Sequence, residues 1–319
     1  MLEKEKLMNA VKGVENILAN EDKLTNFLLL EICNGQGIKI IGNNNEGHLA
    51  HEIMEVAINN YISKRYLQGF EENNQSNLEI LAELEAIERQ IPPQSWRTSE
   101  QVRLQQFSTP PPVAYLLAKI LNPIERELVL EPSAGTGSLA VWMKVAGCTI
   151  HVNELSEMRR ALLELQDYKP TGINAEFLDD LLPDEIAPEG VLMNPPFSAN
   201  GGRTKKTDSN FGFRHVKSAL VRLKEGGRLV ALLGADALTK SDKGRRFLSE
   251  IAAEYDLRAV ITLPKKAFYK YGTNFQTCIV YIVKSERTPG EKSIKQRKNI
   301  LEADCQSLEE CLSYVSIFD

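Results

Sequence analysis

Asn194-Pro195-Pro196-Phe197 places an amide, a rigid turn and an aromatic ring in consecutive positions after the apolar run Val191-Leu192-Met193. The prolines fix φ and remove two backbone donors. An amino group conjugated to a ring or a carbonyl is a poor nucleophile, because its lone pair is delocalised. If the Asn194 side-chain oxygen and the Pro195 carbonyl accept its two N–H bonds, the nitrogen becomes more pyramidal. Its lone pair then turns toward an incoming methyl group. Phe197, presented just beyond, could stack on a base taken out of its duplex. A purine amine, a cytosine amine and a glutamine amide share the same difficulty, so the motif alone does not choose among them. Ring-carbon methylation of cytosine would need a nucleophilic cysteine after the proline, where Phe197 stands.

Three upstream segments fit a nucleoside-bearing cofactor. Leu128-Val129-Leu130 runs into Glu131-Pro132-Ser133-Ala134-Gly135-Thr136-Gly137-Ser138, where Gly135 and Gly137 permit a tight turn with close backbone approach to a ligand. A dinucleotide-binding fold uses a similar turn, so the loop is weak on its own. Glu154 closes the next strand, where a carboxylate can accept both hydroxyls of a ribose; the alternative is a cap on the following helix. Glu176 and Phe177, expected in a loop at the end of a third strand, can bond an adenine amine and cover its face; for Phe177 the alternative is core packing.

These residues need a sheet to present them. Residues from about 96 alternate short β-branched runs with helices, as in LVLEPS, TIHVNE, VLMNPP, RLVALLG and RAVITLP. Strands apolar throughout predict a largely parallel α/β sheet buried on both faces. TCIVYIVK follows after only a loop and is expected to enter antiparallel at or near the edge. Residues 1–95 read as a helical accessory domain, interrupted by Asn- and Gly-rich loops at IGNNNEGH and GFEENNQSN and closed by the prolines near 92. Residues 96–298 form the second domain, and the acidic segment 299–319 is expected to be helical. His48 and His51 lie beside Glu52, but without HExxH order or a third ligand they are expected on a helix surface and not at a metal.

The net charge of −5 hides an asymmetry. Residues 197–298 carry 22 Lys and Arg against 9 Asp and Glu, while the remainder carries 16 against 34. The basic part is the candidate nucleic-acid face. Within it, Arg203, Lys205 and Lys206 follow Phe197 in a polar loop, and Lys265, Lys266 and Lys270 flank Phe268. The two clusters could hold phosphates on either side of an extruded base. The five cysteines lack CxxC spacing and are expected to be free thiols. The N-terminal residues carry no apolar signal core, and no apolar stretch approaches membrane-spanning length, so a cytoplasmic location is expected.

The order Gln106-Phe107-Ser108-Thr109-Pro110, EPSAGTGSL, VNE, AEFL and NPPF resembles the amino-methyltransferases of DNA in which cofactor motifs precede catalytic ones. It is most similar to the adenine-N6 methylases of phages and mobile elements, including the module attached to strawberry-notch-type helicases. The resemblance spans residues 100–284 and implies a Rossmann-like methyltransferase fold with S-adenosyl-methionine as cofactor and DNA as substrate. It implies that Thr109, Pro110 and the glycine loop meet the cofactor's methionine end, Glu154 its ribose, and Glu176 with Phe177 its adenine. In that family a late aromatic grips the flipped base. By position this is Phe268, in the segment Leu263-Pro264, Ala267-Phe268, Gly272-Thr273-Asn274, with Phe275 as rival. Such enzymes usually continue into a recognition domain. Here recognition is expected from the helical N-terminal region, from residues 198–215 or from a partner subunit. The runners-up are an RNA or protein-glutamine amino-methyltransferase and a non-catalytic cofactor- or DNA-binding subunit.

Overall fold

The computed structural model describes residues 2–38, 44–66, 75–94, 107–196, 211–285 and 300–318. Four helices come first: α1 (Leu2–Ala19), α2 (Asn26–Gly35), α3 (Asn44–Arg65) and α4 (Asn77–Gln90). A capping box starts α4, with Ser76 and Glu79 satisfying each other's backbone amides. Helix α3 begins inside the Asn-rich run predicted to precede it. A buried helix follows, α5 (Pro111–Leu121), ten of whose eleven residues are buried. Two prolines open it, where missing N–H groups cost nothing.

The alternating part then runs β1 (Leu128–Glu131), α6 (Ala140–Val145), β2 (Thr149–Val152), α7 (Glu157–Glu164), α8 (Leu178–Leu181), β3 (Gly190–Met193), α9 (Phe211–Arg222), β4 (Arg228–Gly234), α10 (Asp242–Glu254), β5 (Asp256–Thr262), β6 (Thr277–Val283), β7 (Leu301–Asp304) and α11 (Leu308–Ser313). The seven strands form one sheet in the order β2-β1-β3-β4-β6-β5-β7. Strands β2, β1, β3 and β4 pair in parallel, and β6 is antiparallel to both of its neighbours. This is the expected Rossmann-like sheet.

Three expectations are corrected. Strand β6 inserts between β4 and β5, two strands in from the edge, because six of its seven residues are buried and need cover on both sides. Residues 301–304 are not helical. They add β7 parallel to β5, with Leu301 and Ala303 packed on the core while the two acidic residues are exposed. Charge on such an edge discourages further pairing. No strand precedes Glu176. Only Thr171 pairs with Asn153, and the chain then makes a 3₁₀ turn, Ala175–Phe177, capped by Asn174.

Period-two alternation divides the sheet's two faces. Leu229, Ala231 and Leu233 of β4 join one apolar cluster with α9 and α10, whereas Val230 and Leu232 join another. That second cluster also contains α5, α6 and residues from α1 to α4, so the N-terminal helices and the sheet share one contiguous core. Trp142 fills the junction, its ring centroid 5.5 Å from Tyr66 of α3's end and 4.9 Å from Tyr115 of α5. The expected boundary near residue 95 falls beside residues 95–106, outside the described residues. Among the described residues no helix is long and apolar enough to cross a membrane. All five cysteines are free thiols.

Candidate active site

The glycine loop leaves β1 at the carboxyl end of the sheet. Gly135 and Gly137 adopt φ of 56° and 93°, the left-handed region in which a side chain is strained. A Cβ on Gly137 would lie 3.1 Å from Leu163, whereas at Gly135 the same position opens onto empty space. Glu154 holds this turn. It is 4% exposed, and its carboxylate accepts from the amides of Gly135 and Ser156, each at 2.8 Å. Both of its oxygens are thus engaged, one by the glycine loop and one by the residue that precedes α7. Neighbouring Asn153 is a hub, donating to Pro132 O and Ile173 O and accepting from the Ile173 amide. It thereby joins the glycine loop to the segment that carries Glu176 and Phe177.

Glu131, at the end of β1, is 2% exposed, and its Oε2 has no hydrogen-bond partner. Burial raises its carboxyl well above the usual range, against one bond from the Ala140 amide, and the nearby Glu154 charge adds to the rise. Pro132, Ser133 and Ala134 complete the turn, and the Ala134 amide bonds Asn153 O.

Asn194 follows β3 and is oriented by the FSTP segment. Its Nδ2 donates to Phe107 O and Thr109 Oγ1, each at 3.0 Å. A backbone carbonyl can only accept, so the amide nitrogen must face Phe107 and the Oδ1 atom faces away from it. Thr109 and Pro110 are buried at the start of α5, fixing this partner in place. Pro195 is buried and Pro196 half-buried. Gly212 of α9 packs so closely on the pair that an added Cβ would sit 3.4 Å from Pro196 O.

Glu176 pairs with Arg214 of α9, and Phe177 beside it is 48% exposed, so this ring is free of core packing on one side. On the expected substrate side one assignment fails. Phe268 is 1% exposed and belongs to the core cluster, so it has no face to offer a base. Phe275 and Tyr269, in the same loop, are 59% and 63% exposed. Lys265 and Lys266 are exposed, whereas Lys270 donates to Glu88 O and Ile91 O, tying the loop to the end of α4. Phe197, Arg203, Lys205 and Lys206 lie outside the described residues.

Two features escape a reading of the sequence alone. A surface groove of about 260 Å³ between α9 and α10 is lined by Arg214, Lys217, Lys243, Arg246 and Glu250 over Phe213 and Phe247, with Lys217 paired to Glu250. On the other side of the sheet, α3 turns a polar stripe toward the glycine loop. His48, Glu52, Glu55 and Asn59 recur at helical spacing on one face. Asn59 donates to Thr136 O at 2.8 Å, and Glu55 accepts from the Thr136 and Ser108 hydroxyls at 2.8 and 2.7 Å. Glu52 bonds His48 and Arg159 at 2.9 and 2.6 Å. Burial pushes the Glu52 carboxyl up, but Arg159 and His48 outweigh it and hold it at about 2. His48 and His51 are thus not surface residues. They are 7% and 0% exposed, because Glu52 and Asn26 give their rings polar partners inside the fold. The signal in the sequence is faint: four polar residues at i, i+4, i+7 and i+11, in a helix that carries other polar residues as well.

A family profile described as N-6 DNA methylase matches residues 95–310. The chain belongs to the N-6 DNA methylase family. This methylase is also similar in fold to solved structures. A type I restriction-modification methyltransferase subunit from Streptococcus thermophilus superposes with TM-score 0.51 at 16% identity, over 99% of this chain and 94% of that one. A protein attributed to the class I S-adenosylmethionine-dependent methyltransferases of Listeria monocytogenes gives 0.50 at 18%, over 99% and 98%. A modification subunit attributed to a type I restriction enzyme of Vibrio vulnificus YJ016 gives 0.54 at 14% over 91% of this methylase, which spans only 62% of that subunit.

Proposed function

We propose that the protein transfers a methyl group from S-adenosyl-methionine to the exocyclic N6 amine of adenine in DNA. The observation that carries this reading is the orientation of Asn194. With Nδ2 committed to Phe107 and Thr109, Oδ1 is held ready to accept from a ligand amine. Asn194 Oδ1 and the Pro195 carbonyl take the two N–H bonds of the adenine amine, drawing its lone pair out of conjugation. The nitrogen so held would accept the methyl that the cofactor supplies when bound, and one amine proton would leave to solvent.

The residues present fit the cofactor. The unpartnered Glu131 oxygen and the open space over Gly135 suit a cationic ligand that the backbone approaches closely. When bound, S-adenosyl-methionine supplies an electrophilic methyl on a positively charged sulfur. Gly135 and Gly137 with Pro132, Ser133 and Ala134 shape the turn at its methionine end, beside Thr109 and Pro110. Glu154 holds the ribose, while Glu176 and Phe177 bind the adenine. Phe197 stacks on the target base, with Phe275 taking the role that position alone assigns to Phe268. Arg203, Lys205, Lys206, Lys265 and Lys266 meet DNA phosphates.

Sequence recognition is proposed to come from a partner subunit; the Streptococcus and Vibrio proteins are each described as one subunit of a type I system. The cytoplasm is the proposed location, where five free thiols stay reduced. Incubation with cofactor carrying a labelled methyl group and separate DNA, RNA and protein substrates tests the reading. Label is expected in DNA with the wild type and in none of the three with Asn194→Ala; label in RNA or protein alone would overturn it.

A further inference from the structure

Three segments of the candidate active site meet on one side chain of α3. Glu55 is buried, and its two oxygens are both engaged. The Ser108 hydroxyl of the FSTP segment donates to Oε2 at 2.7 Å, and the Thr136 hydroxyl of the glycine loop donates to the same oxygen at 2.8 Å. Oε1 accepts from Gln94 Nε2 at 2.7 Å. The Gln94 amide donates in turn to Lys270 O, also at 2.7 Å, in the loop that carries Phe275. Asn59, one turn further along α3, donates to Thr136 O at 2.8 Å, so the helix holds the glycine loop at two points. Ser108 stands between Phe107 and Thr109, the two acceptors that orient the Asn194 amide. Thr136 stands between Gly135 and Gly137. A buried carboxyl held by neutral donors is a costly way to stabilise a fold, and an apolar side chain would serve packing better.

We propose that Glu55 is a positioning residue for methyl transfer: through Ser108 and Thr136 it fixes Asn194, which holds the amine, against the glycine loop, which holds the methyl donor. This rests on the reading of Asn194 and the glycine loop given above. In-line transfer is sensitive to placement, and a displacement of about 1 Å can cost on the order of 100-fold in rate. Two hydroxyls that share one carboxylate oxygen keep their segments in register, and the bond through Gln94 extends the same control to the loop of Phe275. Glu55 and Gln94 both precede residues 95–310, which the family profile matches, so the N-terminal helices enter the alignment of the reacting groups.

Single-turnover methyl transfer to DNA by the full chain, at saturating cofactor and DNA, tests this. Calorimetry with S-adenosylhomocysteine counts the folded sites and gives their affinity, so that the rate is expressed per competent site. Glu55→Gln keeps all three bonds, since its amide can donate to both hydroxyls while its oxygen accepts from Gln94. It should retain the rate to within about threefold, whereas Glu55→Leu should lose roughly 10- to 100-fold. Ser108 is only half-buried, so Ser108→Ala cuts one arm with little risk to folding. It should slow transfer over the same range and change S-adenosylhomocysteine affinity less than about twofold. The double variant Glu55→Leu with Ser108→Ala should be no slower than Glu55→Leu alone, because the shared link is already broken. An unchanged rate in Ser108→Ala, a parallel loss of rate and affinity there, or multiplying losses in the double variant would overturn the proposal. If Glu55→Leu does not fold, the Ser108→Ala result decides. A wild type that binds S-adenosylhomocysteine but methylates no DNA would instead remove the reading on which the proposal stands.

Discussion

Among single residues, the site depends on where polar atoms point and which rings are free. Asn194 was legible because NPPF is local, and its oxygen's role follows from residue chemistry alone. Its orientation was not, since that depends on Phe107 and Thr109, 87 and 85 positions away. Phe268 and Phe275 show the converse. Both are aromatics in one loop, and nothing in their neighbours states which one turns inward. Phe268→Ala should cost about 3–5 kcal/mol of unfolding free energy, as for a large ring removed from a core. Phe275→Ala should leave stability within about 0.5 kcal/mol and lower turnover, with 2-aminopurine fluorescence at the target position reporting less flipping. Urea unfolding separates the two. A stable Phe268→Ala protein with impaired flipping would restore the assignment that burial argues against.

Among the helices and strands, those carrying the glycine loop, Glu154 and Asn194 were readable from apolar runs ending in glycine, acid or proline, whereas the strand expected before Glu176 is absent. The insertion of β6 between β4 and β5 was not, because strand order is a long-range property that a hairpin leaves undecided. Nor was the convergence of α9 and α10, whose cations are scattered in sequence and meet only when both helices return across one face of the sheet. Lys243 and Arg246 sit at the start of α10, beside the sheet end that carries Asn194, so they are well placed to meet DNA phosphate. Replacing both by Gln should weaken DNA binding and make its salt dependence shallower, by about 0.9 in log-log slope for each phosphate no longer neutralised, with cofactor affinity unchanged. Fluorescence anisotropy across a salt series measures this, and an unaltered slope would exclude the groove from the DNA-binding surface.

Across the whole molecule, the N-terminal helices and the methyltransferase sheet share a core in which polar residues are buried along with the apolar ones. Burial, reinforced by the His48 charge, pushes His51 down to about 3. Burial with the Arg214 charge does the same to His215. Between those values and the unfolded value near 6.5, the unfolded chain binds protons that the folded one refuses, so stability falls as pH is lowered. Each such histidine should cost about 2 kcal/mol between pH 7.5 and 5. Glu52 adds nothing in that window, since its own contribution is lost only as pH falls below about 4 toward its folded value. The buried carboxyls of Glu88 and Glu131, pushed up by burial, act in the opposite sense, so the test is a difference: in urea unfolding at both pH values His51→Asn should lose about 2 kcal/mol less than the wild type.

Helices, sheet and loops together serve the transfer of one methyl group to one nitrogen. Mass spectrometry of nucleosides from DNA incubated with the protein and S-adenosyl-methionine identifies that nitrogen. N6-methyladenine is predicted with the wild type and is predicted to vanish with Asn194→Ala; N4-methylcytosine in its place, or N6-methyladenine undiminished in the variant, would contradict adenine methylation directed by Asn194.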